Sequence, residues 1–114
     1  ADLPLAMADN AQQKGFVTGA PVALGPANRD FARSRVNVLV NGAPREEASG
    51  AEVMGGGALL SVVWLANKLA EFGRPLEAGM RIMSGSFTKQ YALAKGDVIE
   101  ASFEPFGHVR AQFD

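Results

Sequence analysis

The longest run of apolar positions lies in the middle of the chain, between Ala58 and Phe72. At 100° per residue, its few polar residues fall on one narrow side of a helix: Ser61, Asn67, Lys68 and Glu71. Gly73 can adopt the left-handed conformation that ends helices, and Pro75 prevents continuation. The pattern predicts one long apolar helix, most of whose circumference must be buried against other elements.

Alternation of apolar and polar residues predicts short β-strands on both sides of this helix. Every second residue is valine in the strand predicted over 35–41, and Asn41-Gly42 favours a tight hairpin because both residues tolerate positive φ. The return strand over 45–48 is polar and follows Pro44, so we expect it at a sheet edge. Further strands are predicted over residues 80–84, 98–104 and 108–113, and 16–18 is a short strand candidate.

Short strands and a single long helix predict an α+β fold, with a β-rich curled mixed sheet or partial barrel around the one long apolar helix. The chain has 114 residues, enough for a single domain over 1–114 with a core of its own. Its 47% hydrophobic and 20% charged residues are typical of a globular protein.

Charge and composition narrow the classes of function. A net charge of -1 without a block of like charges gives no electrostatic reason to expect nucleic acid or membrane partners. The absence of cysteine excludes a disulfide framework, a thiolate nucleophile and a zinc–thiolate site. No apolar run approaches the ~20 residues of a membrane span, and no signal-peptide pattern opens the sequence. We therefore expect a cytoplasmic protein.

Hydroxyl side chains cluster at the end of the strand predicted over 80–84. Ser84, Ser86 and Thr88 lie close together in the sequence, with Gly85 among them. Hydroxyls and bare backbone N–H groups at a strand end suit a carboxylate or keto oxygen that approaches the main chain. From the residues alone an ordinary turn is the simpler interpretation, and a binding site is the alternative.

Two further segments could contact a ligand but have simple structural interpretations. Asp9 and Asn10 could form hydrogen bonds at a site, or they could be a pair at a helix end or turn. The glycines of 55–57 could hold an anion at the start of the helix, yet no Lys-Ser/Thr of a phosphate loop follows them. A flexible or tightly turned connection is the simpler explanation for these glycines.

The remaining ionisable candidates do not assemble a catalytic constellation. His108 is the only histidine and is expected on the solvated face of the last hairpin. Glu46 and Glu47 are consecutive, so they point to opposite faces of a strand and cannot both bind one metal ion from regular β geometry. With Glu52 they are interpreted as a solvated edge.

Several short segments, spread over essentially the whole chain, match a known group of proteins in order and spacing. They are Ala8-Asp9-Asn10-Ala11, Phe16-Val17-Thr18-Gly19, Val63-Trp64-Leu65-Ala66-Asn67-Lys68-Leu69-Ala70, Leu76-Glu77-Ala78-Gly79, Ser84-Gly85-Ser86-Phe87-Thr88, Lys95-Gly96-Asp97 and Phe106-Gly107-His108-Val109. The set resembles the C-terminal part of the 2-keto-4-pentenoate hydratase group. That group includes 2-oxohept-4-ene-1,7-dioate hydratase and 4-oxalocrotonate decarboxylase, within the fumarylacetoacetate hydrolase superfamily.

The resemblance implies a fold like that of fumarylacetoacetate hydrolase and a metal-dependent lyase of meta-cleavage aromatic catabolism. Such a hydratase acts on 2-hydroxydienoates and 2-oxo-alkenoates, and decarboxylation and C–C hydrolysis are the alternatives within the superfamily. Mg²⁺ or Mn²⁺ is the expected cofactor, bound to the carboxylate and 2-oxo oxygens of a small 2-oxo carboxylate substrate. A homo-oligomer is the expected assembly.

The resemblance also implies roles for individual residues. Ser84, Gly85, Ser86 and Thr88 match the substrate-side wall, and Asp9 with Asn10 matches the segment that borders the pocket. No residue of the chain is assigned a catalytic role.

Two departures from the group set limits on activity. The group's metal ligands, a Glu-x-Glu motif and a third acidic residue, precede the Asp-Asn-Ala segment, so we do not expect them in this chain. Gly56-Gly57-Ala58 stands where relatives carry Gly-His-Pro or Asn-His-Pro. The chain is therefore expected to be the C-terminal portion of a longer enzyme, or a non-catalytic domain that keeps the fold and binds a small carboxylate or serves assembly. Apolar surface left uncovered by a missing half predicts self-association.

Overall fold

The computed structural model describes residues 14–53 and 58–114. Within these residues four strands form one sheet, accompanied by one α-helix and two short 3-10 helices. In chain order the elements are the 3-10 helix Phe31–Arg33, β1 Arg35–Val40, β2 Ala43–Ser49, the 3-10 helix Gly50–Glu52, α1 Ala58–Glu71, β3 Val98–Glu104 and β4 Gly107–Gln112. In the described part of the chain, no helix has both the length and the apolar character needed to cross a membrane.

The strands lie in the order β2-β1-β3-β4, and every pairing is antiparallel. Asn41 and Gly42 adopt φ values of 52° and 77°, which confirms the predicted tight hairpin between β1 and β2. The predicted edge position of β2 is also confirmed. A register shift lies between Val38 and Leu39, beside Pro44, where the edge tolerates a residue that cannot donate a ladder hydrogen bond.

One face of the sheet is apolar and the other is polar, as the alternation predicts. Val36 and Val38 of β1 are buried, and because β1 lies between β2 and β3, side chains of both neighbouring strands flank them. The opposite face carries exposed ion pairs, Arg35–Glu47 at 3.1 Å and Arg110–Glu100 at 3.7 Å. Such exposed pairs contribute little to stability, so burial of the apolar face holds the sheet together.

Asn41 also connects the first hairpin to the turn that precedes β3. Its amide donates to Asp97 Oδ1 at 2.9 Å and accepts the Val98 N–H at 2.9 Å, while Ala94 N–H donates to Asp97 Oδ2 at 2.8 Å. The backbone N–H of Ala94, followed by the Asn41 amide, holds the pKa of Asp97 below its ordinary value of 3.8, because both donors stabilise the ionised carboxylate.

Three parts of the predicted architecture are wrong or incomplete. The sheet is antiparallel among the described residues, not mixed. Residues 16–18 and 80–84 form no strand, because no neighbouring strand pairs with them. The sheet does not enclose α1, since Leu60 and Trp64 on its outer side are 55% and 57% exposed.

Helix α1 itself begins and ends close to the predicted residues. It has 14 residues and ends at Glu71. Gly73 has a φ of 68°, and its N–H donates to Ala70 O at 3.0 Å, while Arg74 N–H donates to Leu69 O at 2.9 Å. This left-handed glycine closes the helix as expected. The apolar pattern thus predicted the bounds of α1 but not its surroundings, because this 14-residue helix is not the long, buried apolar helix expected.

Candidate functional site

A cavity of about 700 Å³ lies between the apolar face of the sheet, the first turns of α1 and the segment 82–88. The sheet contributes apolar side chains and α1 contributes its first residues; among them are Val36, Val38, Ala101, Phe103, Ala58, Leu59 and Val62. Polar atoms enter this apolar enclosure from the segment 84–88. A largely apolar cavity with a few convergent polar groups is the usual form of a small-molecule site.

The segment is fixed to the start of α1 through Ser84. Ser61 Oγ lies 2.6 Å from the carbonyl oxygen of Ser84 and 2.7 Å from that of Ala58, so its single hydroxyl proton can bond to either. Gly85 follows with a φ of 126°, a conformation that side chains disfavour. A Cβ at this position would also lie 3.1 Å from Cγ1 of the buried Val53, so the site requires glycine there.

Ser86 and Thr88 stabilise the next turn, and Phe87 anchors it to the sheet. Ser86 Oγ donates to Thr88 O at 2.7 Å and accepts the Thr88 N–H at 3.2 Å. The Phe87 ring packs edge-on against Phe103 of β3, with centroids 5.9 Å apart and an interplanar angle of 72°. Among the described residues, the backbone N–H groups of Gly85 and Ser86 have no protein acceptor. They are therefore available to an oxygen of a ligand or to water.

The structure brings most of the predicted site residues to one wall. Ser84, Gly85, Ser86 and Thr88 all line the cavity, while their role in binding stays a prediction. Asp9 and Asn10, and the glycines of 55–57, lie outside the described residues.

The single histidine lies where the alternation of the last hairpin places it. His108 pairs with Ser102 on the face opposite to Val109, and its side chain is exposed, as expected. Although His108 borders the cavity, the alternation of side chains along β4 directs its imidazole away from the apolar sheet face.

Glu46 lies on the edge strand, as expected, but it is half-buried and has hydrogen-bond partners within the protein. Its carboxylate accepts hydrogen bonds from the Tyr91 hydroxyl and, at 3.3 Å, from the Lys89 N–H. Glu47 points to the other face and pairs with Arg35, as consecutive strand residues must. Tyr91 lines the cavity, so its hydrogen bond to Glu46 attaches the end of the cavity wall to the edge strand β2. Sequence separation concealed this contact, because the partners are 45 positions apart in the chain.

Two other wall residues were missed from the sequence. Phe31 lines the cavity and stacks on Phe106, with centroids 5.4 Å apart. Ser34 also lines the cavity and is 2% exposed. The signal for Ser34 was present, because the alternation of Val36 and Val38, extended back by two residues, places it on the apolar face.

The described residues do not fit the Mg²⁺ or Mn²⁺ ion that the resemblance implies. Among them no group of three His, Cys, Asp or Glu residues could hold a metal ion, and no carboxylate lines the cavity. Mg²⁺ is bound in proteins through carboxylates and waters in near-octahedral geometry. The hydroxyl and backbone groups of this wall can bind and orient a ligand, but they do not form a metal centre.

The sequence profile of the fumarylacetoacetate (FAA) hydrolase C-terminal region matches residues 2–114. The chain belongs to this family. Among its relatives, 4-oxalocrotonate decarboxylase of Pseudomonas putida is 38% identical over 112 residues, which cover 98% of this chain and 42% of the relative. The 2-keto-4-pentenoate hydratase of Paraburkholderia xenovorans strain LB400 is 33% identical over 108 residues, covering 95% of this chain and 39% of the relative.

A solved structure confirms the family at the level of the fold. The 4-oxalocrotonate decarboxylase of Pseudomonas putida G7, complexed with magnesium and adipate, superposes with a TM-score of 0.86 at 38% identity. The match covers 96% of this chain and 41% of that protein. The chain thus has the FAA hydrolase-like fold, and it spans about two fifths of the length of the relatives it matches.

Proposed function

We propose that this chain supplies the substrate-side wall of a hydratase that acts on 2-hydroxydienoates and 2-oxo-alkenoates in meta-cleavage aromatic catabolism. The observation that carries the proposal is the position of the Ser84–Thr88 segment on a cavity that is otherwise largely apolar. Membership in the FAA hydrolase family and similarity to a 2-hydroxyhexa-2,4-dienoate hydratase of Comamonas testosteroni support it.

The chemistry of this wall matches the two ends of such a substrate. The carboxylate and keto oxygens of a 2-oxo acid need hydrogen-bond donors, which the Ser84 and Thr88 hydroxyls and the N–H groups of Gly85 and Ser86 can provide. The hydrocarbon chain needs an apolar surface, which the β1 valines and Phe103 provide. The adipate complex of the related decarboxylase is consistent with a carboxylate ligand in this family.

The proposed role of these residues is to bind and orient the substrate. The metal ion of the family would supply Lewis-acid stabilisation of negative charge on the substrate when bound. Because the described residues do not fit that ion, no step of the reaction is assigned to them beyond holding the oxygens and excluding water from the hydrocarbon chain.

A binding experiment tests the wall. We expect 2-oxoadipate, titrated into the chain by calorimetry with Mg²⁺ and again with chelator, to bind in at least one condition. Ser84→Ala should weaken binding about three- to tenfold, the range for loss of one hydrogen bond. Ser102→Ala is the matched control, because Ser102 lies on β3 opposite to the face of Ala101 and Phe103 that lines the cavity. Equal affinity of Ser84→Ala and the wild-type chain would refute the assignment.

A non-catalytic domain that binds a small carboxylate or serves assembly is the second candidate. The absence of a carboxylate on the described cavity wall favours it. Turnover separates the two proposals: loss of 2-hydroxypenta-2,4-dienoate absorbance with Mg²⁺ or Mn²⁺, abolished by chelator, would support the enzyme. Metal-dependent turnover only when the rest of a longer parent chain is present would support a role as one wall of its site.

Two finer expectations stay predictions. Hydration, decarboxylation and C–C hydrolysis would use the same substrate-side wall, and relatives of this chain include both hydratases and decarboxylases. The homo-oligomer is in keeping with the exposed apolar side chains of α1 and of its surroundings, such as Leu60, Trp64, Phe72 and Met83.

A further inference from the structure

A buried serine hydroxyl outside the predicted segment shares the cavity. Ser34 lies immediately before β1 in extended backbone, with φ −61° and ψ 143°. Its side chain therefore falls on the same sheet face as Val36 and Val38, which line the cavity with it. Ser34 is 2% exposed, and within the described part of the chain its Oγ has no hydrogen-bond partner.

The backbone of Ser34 is fully bonded, which leaves the side-chain hydroxyl as its one unsatisfied group. Its N–H donates to Phe31 O at 3.1 Å, and its carbonyl accepts the Gly50 N–H at 2.8 Å. Buried hydroxyls in native proteins almost always have a partner, because an unpaired one forfeits its hydrogen bonds to water. The Ser34 Oγ itself has almost no accessible surface, although the residue lines the cavity, so a partner that occupies the cavity would reach it after rotation of the side chain about χ1.

Ser34 also lies near the wall to which the ligand oxygens are assigned. Gly50, bonded to the Ser34 carbonyl, faces Phe87, since a Cβ on Gly50 would lie 3.3 Å from Phe87 Cζ. Phe87 stands between Ser86 and Thr88 in the segment that forms this wall. The strand start and the segment therefore approach each other through Gly50.

We propose that Ser34 Oγ donates a hydrogen bond to an oxygen of the 2-oxo acid bound in the cavity. Ser34 is then a further binding residue of the site, supplied by β1 and not by the Ser84–Thr88 segment. The inference rests on the proposed function, because it takes its ligand class from there. The hydroxyl can donate one hydrogen bond, and the carboxylate or keto oxygen of a 2-oxo acid can accept it.

Calorimetry with 2-oxoadipate on the wild-type chain, Ser34→Ala and Ser102→Ala tests the proposal. Ser34→Ala should weaken binding about tenfold, because a hydrogen bond to a charged group is lost, and Ser102→Ala should bind like the wild-type chain. Thermal unfolding without ligand supplies a second readout. Ser34→Ala should melt at the wild-type temperature or above it, since no hydrogen bond within the protein is lost.

Each contrary result has its own meaning. Wild-type affinity in Ser34→Ala would overturn this inference alone and leave the proposed function standing. A melting temperature of ligand-free Ser34→Ala lower by more than about 5 °C would also overturn it, because the hydroxyl would then have a partner within the protein. Failure of the wild-type chain to bind 2-oxoadipate, both with Mg²⁺ and with chelator, would overturn the proposed function and this inference together.

Discussion

Among the glycines that the structure describes, Gly50 has the least room for a side chain. A Cβ added there would lie 1.8 Å from the carbonyl oxygen of Phe31 and 2.8 Å from its carbonyl carbon, whereas real Cβ atoms stay beyond 3.0 Å. Neither atom is the end of a flexible side chain, so the backbone itself must move. Gly50→Ala therefore separates the 3-10 helix Gly50–Glu52 from the residues before β1.

The expected cost follows from what that displacement breaks. The 2.8 Å hydrogen bond from Gly50 N–H to Ser34 O cannot survive a shift of about 1 Å, and a lost bond of this kind costs about 1 kcal/mol. Overpacking against backbone adds about 1–3 kcal/mol. We expect Gly50→Ala to lose about 3 kcal/mol of unfolding free energy, which lowers the melting temperature of a domain of this size by about 12–20 °C.

Circular dichroism during urea and thermal unfolding measures this change. Gly25→Ala is the matched control, because nothing lies within 4 Å of a Cβ on Gly25, and its stability should stay within about 0.5 kcal/mol of wild type. Gly50→Ala should also weaken 2-oxoadipate binding, since Gly50 joins Ser34 to Phe87. A loss of stability below about 1 kcal/mol in Gly50→Ala would refute the reasoning, because the backbone would have absorbed the clash without cost.

Two further predictions concern the cavity wall and pH. Gly85→Ala should lose about 1–3 kcal/mol of unfolding free energy, because a side chain at φ 126° is strained and meets Val53; thermal unfolding with a change below about 0.5 kcal/mol would contradict it. The pKa of Asp97 is lowered in the folded chain, so its ionised carboxylate stabilises the fold at pH values above the unfolded-state pKa of about 4. That stabilisation is lost as the pH falls through the folded-state pKa. Melting temperatures measured from pH 7 to pH 3 should therefore fall further for the wild-type chain than for Asp97→Asn, and parallel curves would refute the link.

Local patterns predicted the hairpins and the alternation within each strand, because the rules for these features are local. The hairpin at Asn41-Gly42 needs two residues that tolerate positive φ, and the sequence supplies them. The alternation in β1 and β3 specifies which side chains face the core. The position of α1 relative to the sheet could not be predicted from local patterns, because an apolar pattern indicates that a helix is buried but does not identify the elements that cover it.

In the candidate site, too, local features could be predicted from the sequence and long-range contacts could not. The hydroxyls of 84–88 could be selected because they lie at alternate positions within five residues, and their resemblance to a family gave them a role. The contact between Glu46 and Tyr91 could not be predicted from the sequence, because it depends on how the sheet edge packs against a distant loop. Strand 80–84 failed for a related reason: its carbonyl at Ser84 accepts from a helix hydroxyl and not from a neighbouring strand.

The cavity wall is held together mainly through backbone and aromatic contacts that leave the Ser84 and Thr88 hydroxyls available. Ser61 binds the carbonyl of Ser84, Gly50 binds that of Ser34, and Phe87 packs on Phe103. A side chain at 84 or 88 can therefore change without breaking a contact that positions the segment. Substitution at these two positions should alter ligand affinity with little loss of stability, whereas substitution of Gly50 should alter both. Such a separation is what a family of hydratases and decarboxylases needs if one fold is to serve different substrates.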